Sequence, residues 1–131
     1  MSICYPPPMR WSLDTRIPLA FVADEAALAA ALAAGPPAAV LCEAPPPPLP
    51  AGAVALVSFD ATTTAHAAGC ACCAGRSPAA AALDRLFQAR VRNACPWFDR
   101  VLALADTPEA AEAIRETLAR DPLASARFRL A

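Results

Sequence analysis

Short apolar runs alternate with segments of helical character along this chain, and no other feature of the sequence restricts the fold as strongly. Each apolar run is five to seven residues long, which suits a buried strand better than a helix. Strands that alternate with helices predict βαβ units, so we expect an α/β fold with a small, mostly parallel sheet flanked by helices. The predicted strands are 17–22, 38–42, 53–59 and 98–104, and a further strand begins within 127–130.

Three helices are predicted between these strands. The first follows Asp24, a capping residue, and ends at Gly35, where two prolines come next. The second begins at Ser77 and the third at Thr107, each followed by a proline that fits a first helical turn. Apolar residues at helical spacing indicate the faces that lie on the sheet: Leu28 and Leu32, then Leu83, Leu86, Phe87 and Val91, then Ile114 and Leu118.

Proline marks the parts of the chain outside these elements. Residues 1–15 are predicted to form an irregular N-terminal arm, and residues 16–131 a single domain. In the segment 45–50 most residues lack an amide hydrogen, so it can be neither helix nor central strand. We interpret this segment as a stiff surface connector, with a docking ligand for a proline-binding partner as the alternative.

The chain contains no lysine, and all 11 of its basic residues are arginine. A Walker A phosphate loop needs a lysine that reaches the β- and γ-phosphates, and Schiff-base catalysis needs an amine side chain. The sequence therefore excludes both. A formal net charge of -1 with dispersed arginines also gives no electrostatic footprint for nucleic acid.

Composition also bounds the core and the compartment. Apolar residues make up 57% of the chain, but so many are alanine that we expect a thin core. No apolar run is long enough for a membrane span, and the first residues lack the pattern of a signal peptide. We therefore expect a cytoplasmic protein with no membrane partner. Six cysteines in such a protein indicate metal or redox chemistry more than a disulfide framework.

Soft metal ligands are densest at Cys70, Cys72 and Cys73, with His66 four residues before the first of them. Three thiolates can hold one soft cation in tetrahedral geometry. Zinc is the first choice, although thiolate-rich sites also suit Cu⁺. The remaining position could be filled by His66, Glu43, Cys42, a water or a side chain of a partner protein.

The surroundings of the three cysteines favour the ligand form of the thiols. The positive end of the helix that begins near Ser77 should lower the thiol pKa values, and we expect Arg76 to add to that effect. A redox switch at Cys72 and Cys73 is the weaker functional alternative, because a disulfide between neighbouring residues is strained. The third alternative is that these cysteines are inert, small buried residues. Cys42 and Cys95 are interpreted as packing residues.

Several segments resemble the CobW family of metal-linked GTPases. Residues 69–77 read G-C-A-C-C-A-G-R-S, and the family's hallmark is a G-C-x-C-C loop followed by a helix. Residues 98–101 read F-D-R-V, as does the start of the family's next strand, and 121–130 are similar to its D-P-x-L-x-x-R-F-R-L segment. Residues 17–21 resemble the strand that enters the family's phosphate loop, and Glu43 matches an acidic residue after its second strand.

The resemblance implies a metal site without a GTPase. Family members bind zinc, cobalt or related ions at the C-x-C-C cysteines and couple this to GTP as metallochaperones or insertases. The resemblance implies that Cys70, Cys72, Cys73 and Glu43 are the metal ligands of this chain. Where the family has its phosphate loop, residues 22–28 contain neither glycine nor lysine, and their acidic residues would repel phosphates. The expected domain is thus a degenerate P-loop NTPase-like fold that binds no GTP.

These observations lead to three functional hypotheses. The first is a non-catalytic zinc-binding protein, with Co²⁺ or Cu⁺ as other ions, that acts as a metal store or as an accessory to a client metalloprotein. The second is an interaction subunit that docks on a full-length CobW-family GTPase, which would complete the edge of its sheet. The third is a relic of such a GTPase without activity.

Overall fold

The computed structural model describes residues 14–61 and 76–131. Five strands form one sheet in which every neighbouring pair is parallel. The predicted α/β fold with a parallel sheet flanked by helices is therefore confirmed. In chain order the elements are β1 (Ile17–Val22), α1 (Glu25–Ala33), β2 (Ala38–Glu43), β3 (Ala53–Phe59), α2 (Pro78–Val91), β4 (Arg100–Leu104), α3 (Pro108–Arg120), α4 (Pro122–Arg127) and β5 (Phe128–Leu130).

The strand order is β3-β2-β4-β1-β5, and helices cover both faces of the sheet. Side chains alternate between the faces, so each central strand contributes to two cores. On one face Leu28 and Leu32 of α1 pack against the sheet, as their spacing predicts. The larger core lies under α2, α3 and α4, where the largest fully buried side chains are Phe98, Phe128, Leu19, Leu41, Leu83, Leu86, Ile114 and Val101.

The predicted helix starts all carry the expected caps. The side chains of Asp24, Ser77 and Thr107 each accept a hydrogen bond from the backbone N–H three residues further on. Such caps satisfy amides that otherwise lack a partner at a helix start. Among the residues that the structure describes, no helix is long and apolar enough to cross a membrane.

Two local predictions need correction, and the structure adds one short helix. β4 begins at Arg100 rather than at residue 98, because the fully buried Phe98 packs into the core before the strand pairing starts. Val91 ends the predicted apolar stripe of α2 but is 48% exposed, since the helix ends there and no longer lies on the sheet. The short helix α4 was not predicted; Asp121 caps it by accepting from the N–H groups of Leu123 and Ala124.

The proline segment connects β2 to β3, its parallel neighbour. Because the two strands run in the same direction, residues 44–52 must return along the whole length of a strand. An extended chain advances about 3 Å per residue and covers that distance in nine residues, whereas a helix at about 1.5 Å per residue would fall short. The parallel pairing thus requires an extended connector, and the stiffness of this segment stays a prediction.

Candidate functional site

The carboxyl ends of parallel strands meet at one edge of a sheet, which is where open α/β sheets bind ligands. In this chain that edge is acidic. Glu43 ends β2, while Asp24, Asp60 and Asp106 follow β1, β3 and β4 within two residues. Beyond β3 the chain continues at this edge through Asp60 and Ala61, after which the segment 62–75 with the predicted cysteine and histidine ligands begins in the sequence.

The turn from β1 into α1 has no room for a phosphate cradle. Only Ala23 and Asp24 separate the strand from the helix. The Asp24 carboxylate accepts from the Ala27 N–H at 2.8 Å, so it occupies one of the amides that a phosphate would use. Glu25 adds a second carboxylate in the first turn of α1. An anion here would meet two negative charges, and the Ala27 amide is already bonded.

Glu43 lies beside the start of α3. The Thr107 Oγ1 hydroxyl lies 3.2 Å from both Oε1 and Oε2 of Glu43 and donates to this carboxylate. The same hydroxyl accepts from the Ala110 N–H at 3.1 Å. The positive end of α3 favours a carboxylate at this place. Glu43 is therefore held in a defined position and keeps free lone pairs for another ligand.

Cys42, the residue before Glu43, faces the opposite core. Its Sγ–H donates to the Val57 backbone carbonyl at 3.7 Å, and the side chain is 2% exposed. Burial raises the pKa of the Cys42 thiol to about 11, and the negative charges of Asp106 and Glu43 add to the effect. A neutral buried thiol is a poor metal ligand. The interpretation of Cys42 as a packing residue agrees with this geometry, and its place among the candidates for the fourth metal ligand does not.

Arg76 directly follows the segment 62–75 in the chain. Its Nε and Nη2 donate to the two carboxylate oxygens of Asp121 at 2.8 and 2.9 Å, and it also pairs with Asp84. Arg127 contacts Asp84 as well, at 3.3 Å. These carboxylates raise the pKa of Arg76, and the hydrogen bond from Arg76 lowers the pKa of Asp121.

The two ion pairs correct one expectation about Arg76. Two carboxylates compensate its positive charge, so Arg76 adds little potential to lower the pKa of nearby thiols. Its role is instead to fix the end of the segment 62–75 to α2 and to the junction of α3 and α4. Ser77 strengthens this attachment, because its hydroxyl lies 2.9 Å from that of Thr117.

A cavity of about 360 Å³ lies between the two ends of the same segment. Its wall contains Phe59 and Ala61 from one end and Arg76 and Ser77 from the other, and α3 closes it with Thr117. Phe59 is 5% exposed, so the entry into the segment is as firmly placed as the exit.

Of the predicted metal ligands, Glu43 is the one that the structure places. His66, Cys70, Cys72 and Cys73 lie outside the described residues. Within 14–61 and 76–131, no group of three or more His, Cys, Asp or Glu side chains is arranged to hold a metal ion. Thr107 and Asp121, which fix Glu43 and Arg76, were missed by the sequence interpretation as contributors to the site.

Comparison with known proteins adds no relative to this picture. No protein-family model, no curated protein and no solved structure matches the chain. The residues of the chain and their geometry therefore have to support any functional conclusion.

Proposed function

We propose that this chain is a non-catalytic, CobW-like metal-binding protein of the cytoplasm that holds zinc through Cys70, Cys72 and Cys73. One observation carries the proposal: three thiols in four residues lie in a segment that follows β3 at the carboxyl edge of a parallel sheet and whose other end is fixed to α2 and to the junction of α3 and α4. Ligands that fold round a metal ion pay less conformational entropy when their segment is anchored at both ends.

The anchoring itself is visible in the described residues. Before the segment, Phe59 is buried in the core and its carbonyl accepts from the Ala44 N–H at 2.8 Å. After the segment, Arg76 is bound to Asp121 and Asp84, and Ser77 caps α2. The positive end of α2 lies beside the exit and favours negatively charged thiolates in the segment.

The type of ion follows from the donor atoms. Thiolates are soft ligands, and three of them with one nitrogen or oxygen donor suit Zn²⁺, with Co²⁺ and Cu⁺ as competitors. Two residues are the leading choices for the fourth donor. His66 belongs to the same segment, and Glu43 is held at the sheet edge by Thr107.

The β1–α1 turn supports the non-catalytic part of the proposal. Asp24 and Glu25 stand where a nucleotide-binding relative would present backbone amides to phosphates. Phosphoryl transfer depends on positioned phosphates, a metal clamp and a lysine or arginine that stabilises the developing charge. We therefore assign the chain a role as metal store or as accessory to a client metalloprotein.

Elemental analysis of the protein, purified under reducing conditions, tests the proposal. We expect about one equivalent of zinc per chain. The variant with Cys70, Cys72 and Cys73 all changed to serine should contain less than about a tenth of that. The matched control changes the two cysteines that the structure places, Cys42→Ala and Cys95→Ala, and should keep the metal. Equal metal content in both variants, or none in the wild type, would contradict the proposal.

The two candidates for the fourth donor can be separated in the same way. Glu43→Gln and His66→Gln are compared for zinc affinity by competition with a chromophoric chelator. The variant that lacks the true fourth donor should bind zinc roughly tenfold to a hundredfold more weakly, by analogy with the loss of other metal-supporting groups. The other variant should bind as the wild type does.

A further inference from the structure

A cavity of about 340 Å³ lies beside β5, at the opposite end of the sheet from β3. Three arginines line it although they are far apart in the sequence: Arg16 precedes β1, Arg115 belongs to α3 and Arg129 to β5. The chain has a formal net charge of -1, so such a cluster does not follow from a basic composition. The fold itself gathers positive charge at this place.

The carboxylate of Asp14 is already bound by one of these arginines. Nε and Nη2 of Arg16 donate to its two oxygens, both at 3.0 Å, and these hydrogen bonds lower the pKa of Asp14 to about 2. Arg16 Nη1 donates to the Ser125 carbonyl at 3.3 Å. The charge of Arg16 is therefore compensated, and most of its N–H groups are in use.

Arg129 keeps a donor that the fold does not satisfy. Its Nε is buried and, within residues 14–61 and 76–131, has no hydrogen-bond partner. The Oδ2 atom of Asp14 lies 3.5 Å from this Nε but accepts from Arg16 Nη2 instead. A buried N–H without a partner destabilises a protein, and a bound anion would supply the missing acceptor.

Arg115 forms no ion pair within the part of the chain that the structure describes. Its guanidinium lies over the Phe21 ring, 4.8 Å from the ring centre. That contact uses the charge of Arg115 and leaves its N–H groups for another acceptor. Glu112 and Glu116, its acidic neighbours on α3, line a different depression, and Glu116 pairs with Arg120. Three guanidinium groups thus share the single carboxylate of Asp14 in this region.

The rest of the cavity wall is apolar. Leu118 and Ala119 stand three and four positions after Arg115, so the helical repeat places all three on one side of α3. Leu130 adds a large side chain that is 47% exposed. An inorganic anion would leave these apolar groups in water, whereas an organic anion would cover them. A volume of about 340 Å³ lies within the range of small-molecule sites.

We propose that this cavity binds a small carboxylate with a hydrocarbon tail, such as a medium-chain fatty acid. Arg115 and Arg129 hold the carboxylate, because a guanidinium can donate two parallel hydrogen bonds to its two oxygens. Leu118 and Leu130 contact the tail. The cavity lies beside β5, whereas the segment 62–75 follows β3 at the other end of the sheet order, so this site is separate from the proposed metal site.

Titration of the protein with sodium octanoate at low ionic strength, followed by NMR, tests the proposal. We expect one saturable site with a dissociation constant on the order of 0.1–1 mM, and amide shifts concentrated in 115–119 and 128–130. Octanamide has the same tail without the charge, and inorganic phosphate has charge without a tail. Each should bind at least about tenfold more weakly than octanoate. No saturable binding, shifts elsewhere in the chain, or equal affinity for octanamide or phosphate overturns the proposal.

Three substitutions of the same type separate this site from general charge effects. Arg115→Gln and Arg129→Gln each remove a proposed ligand of the carboxylate. Arg120→Gln is the matched control, because Arg120 also belongs to α3 but is 80% exposed and does not line the cavity. We expect the octanoate dissociation constant to rise at least about tenfold in the first two and to stay within about twofold in the control. Urea midpoints verify the fold of each variant, and equal affinity in all three folded variants overturns the proposal.

A bound zinc ion could also attract octanoate, since carboxylates are zinc ligands. The variant with Cys70, Cys72 and Cys73 all changed to serine lacks the proposed metal ligands. It should bind octanoate with the affinity of the wild type, whatever the metal content of the wild type proves to be. Loss of octanoate binding in this variant overturns the proposal.

Discussion

The Thr107 hydroxyl lies 3.2 Å from each carboxylate oxygen of Glu43, 64 positions away in the sequence. Through this contact the end of β2 is joined to the start of α3. Because the same hydroxyl accepts from the Ala110 N–H, one oxygen atom both caps the helix and orients the carboxylate.

Removal of the Thr107 hydroxyl should therefore lower the free energy of unfolding by more than the loss of a helix cap alone. We expect Thr107→Val to lower the free energy of unfolding by about 1–2 kcal/mol, since a cap is worth roughly 1 kcal/mol and Glu43 also loses a donor. Urea denaturation at neutral pH measures the change. Thr107→Ser keeps the hydroxyl, and its free energy of unfolding should stay within about 0.5 kcal/mol of the wild type. An equal loss of stability in both variants would contradict a stabilising role of the hydroxyl.

Arg100 closes the carboxyl end of α1 from a neighbouring strand. Its guanidinium donates to the carbonyls of Ala31, Ala34 and Pro36 at 2.6–2.9 Å. A Cβ on Gly35 would lie 3.2 Å from Arg100 Nη2, and Gly35 has a φ of +91°, so this turn favours glycine for two reasons.

Lysine cannot replace this planar set of donors. We expect Arg100→Lys to destabilise the protein by roughly 1–3 kcal/mol, because two of the three carbonyls lose a charged donor. Thermal and urea unfolding give the value. The exposed Arg92 provides the control, since Arg92→Lys should change stability by less than about 0.5 kcal/mol. Matching effects of the two substitutions would rule out a special role for Arg100.

Asp121 should make the protein sensitive to acid. The hydrogen bond from Arg76 holds the pKa of Asp121 below its usual value, so this carboxylate stabilises the fold above its unfolded pKa, near 4. The stabilisation is lost as the pH falls through the lower, folded pKa. Asp121→Asn keeps the α4 cap but not the charge, and should cost about 1–2 kcal/mol at pH 7. The difference from wild type should shrink below about pH 4; a constant difference would contradict the ion pair.

Cys42 should make the stability of the protein fall at alkaline pH. Burial raises its pKa from the ordinary 9.0 to about 11, so the folded protein keeps a proton that the unfolded chain loses. Stability is therefore unaffected by this group below pH 9 and falls as the pH rises towards 11, by up to roughly 2–3 kcal/mol. Cys42→Ala should lack this part of the decline in urea titrations. The same slope in both proteins would place the titration elsewhere.

The strands and most helices of this fold can be predicted because each shows its own pattern of apolar residues and caps over a few consecutive positions. Runs such as 38–42 and the caps at Asp24, Ser77 and Thr107 are local patterns, and the structure confirms them. α4 was not predicted because its six residues contain too few apolar side chains to show a helical period. Val91 was wrongly expected to face the sheet, because the apolar stripe of α2 does not reveal where the helix ends.

The geometry of the site is less accessible to sequence analysis. Arg76 and Asp121 are 45 residues apart, and only the packing of α2 against α3 brings them together. A basic residue beside a cysteine cluster was therefore read as a source of positive potential, although two carboxylates compensate its charge. Donor chemistry can be read from residue types, whereas the partners of each charge depend on the whole fold.

The central claim is that Cys70, Cys72 and Cys73 together hold one metal ion, and a Co²⁺ titration tests it most directly. Tetrahedral Co²⁺ bound to thiolates has strong visible bands and a thiolate-to-metal charge-transfer band whose intensity scales with the number of bound thiolates. We predict saturation at one equivalent with an intensity for three thiolates, displacement by Zn²⁺, and a stepwise loss when single cysteines are changed to serine. A spectrum without charge transfer, or one that is unchanged in these serine variants, would contradict the account.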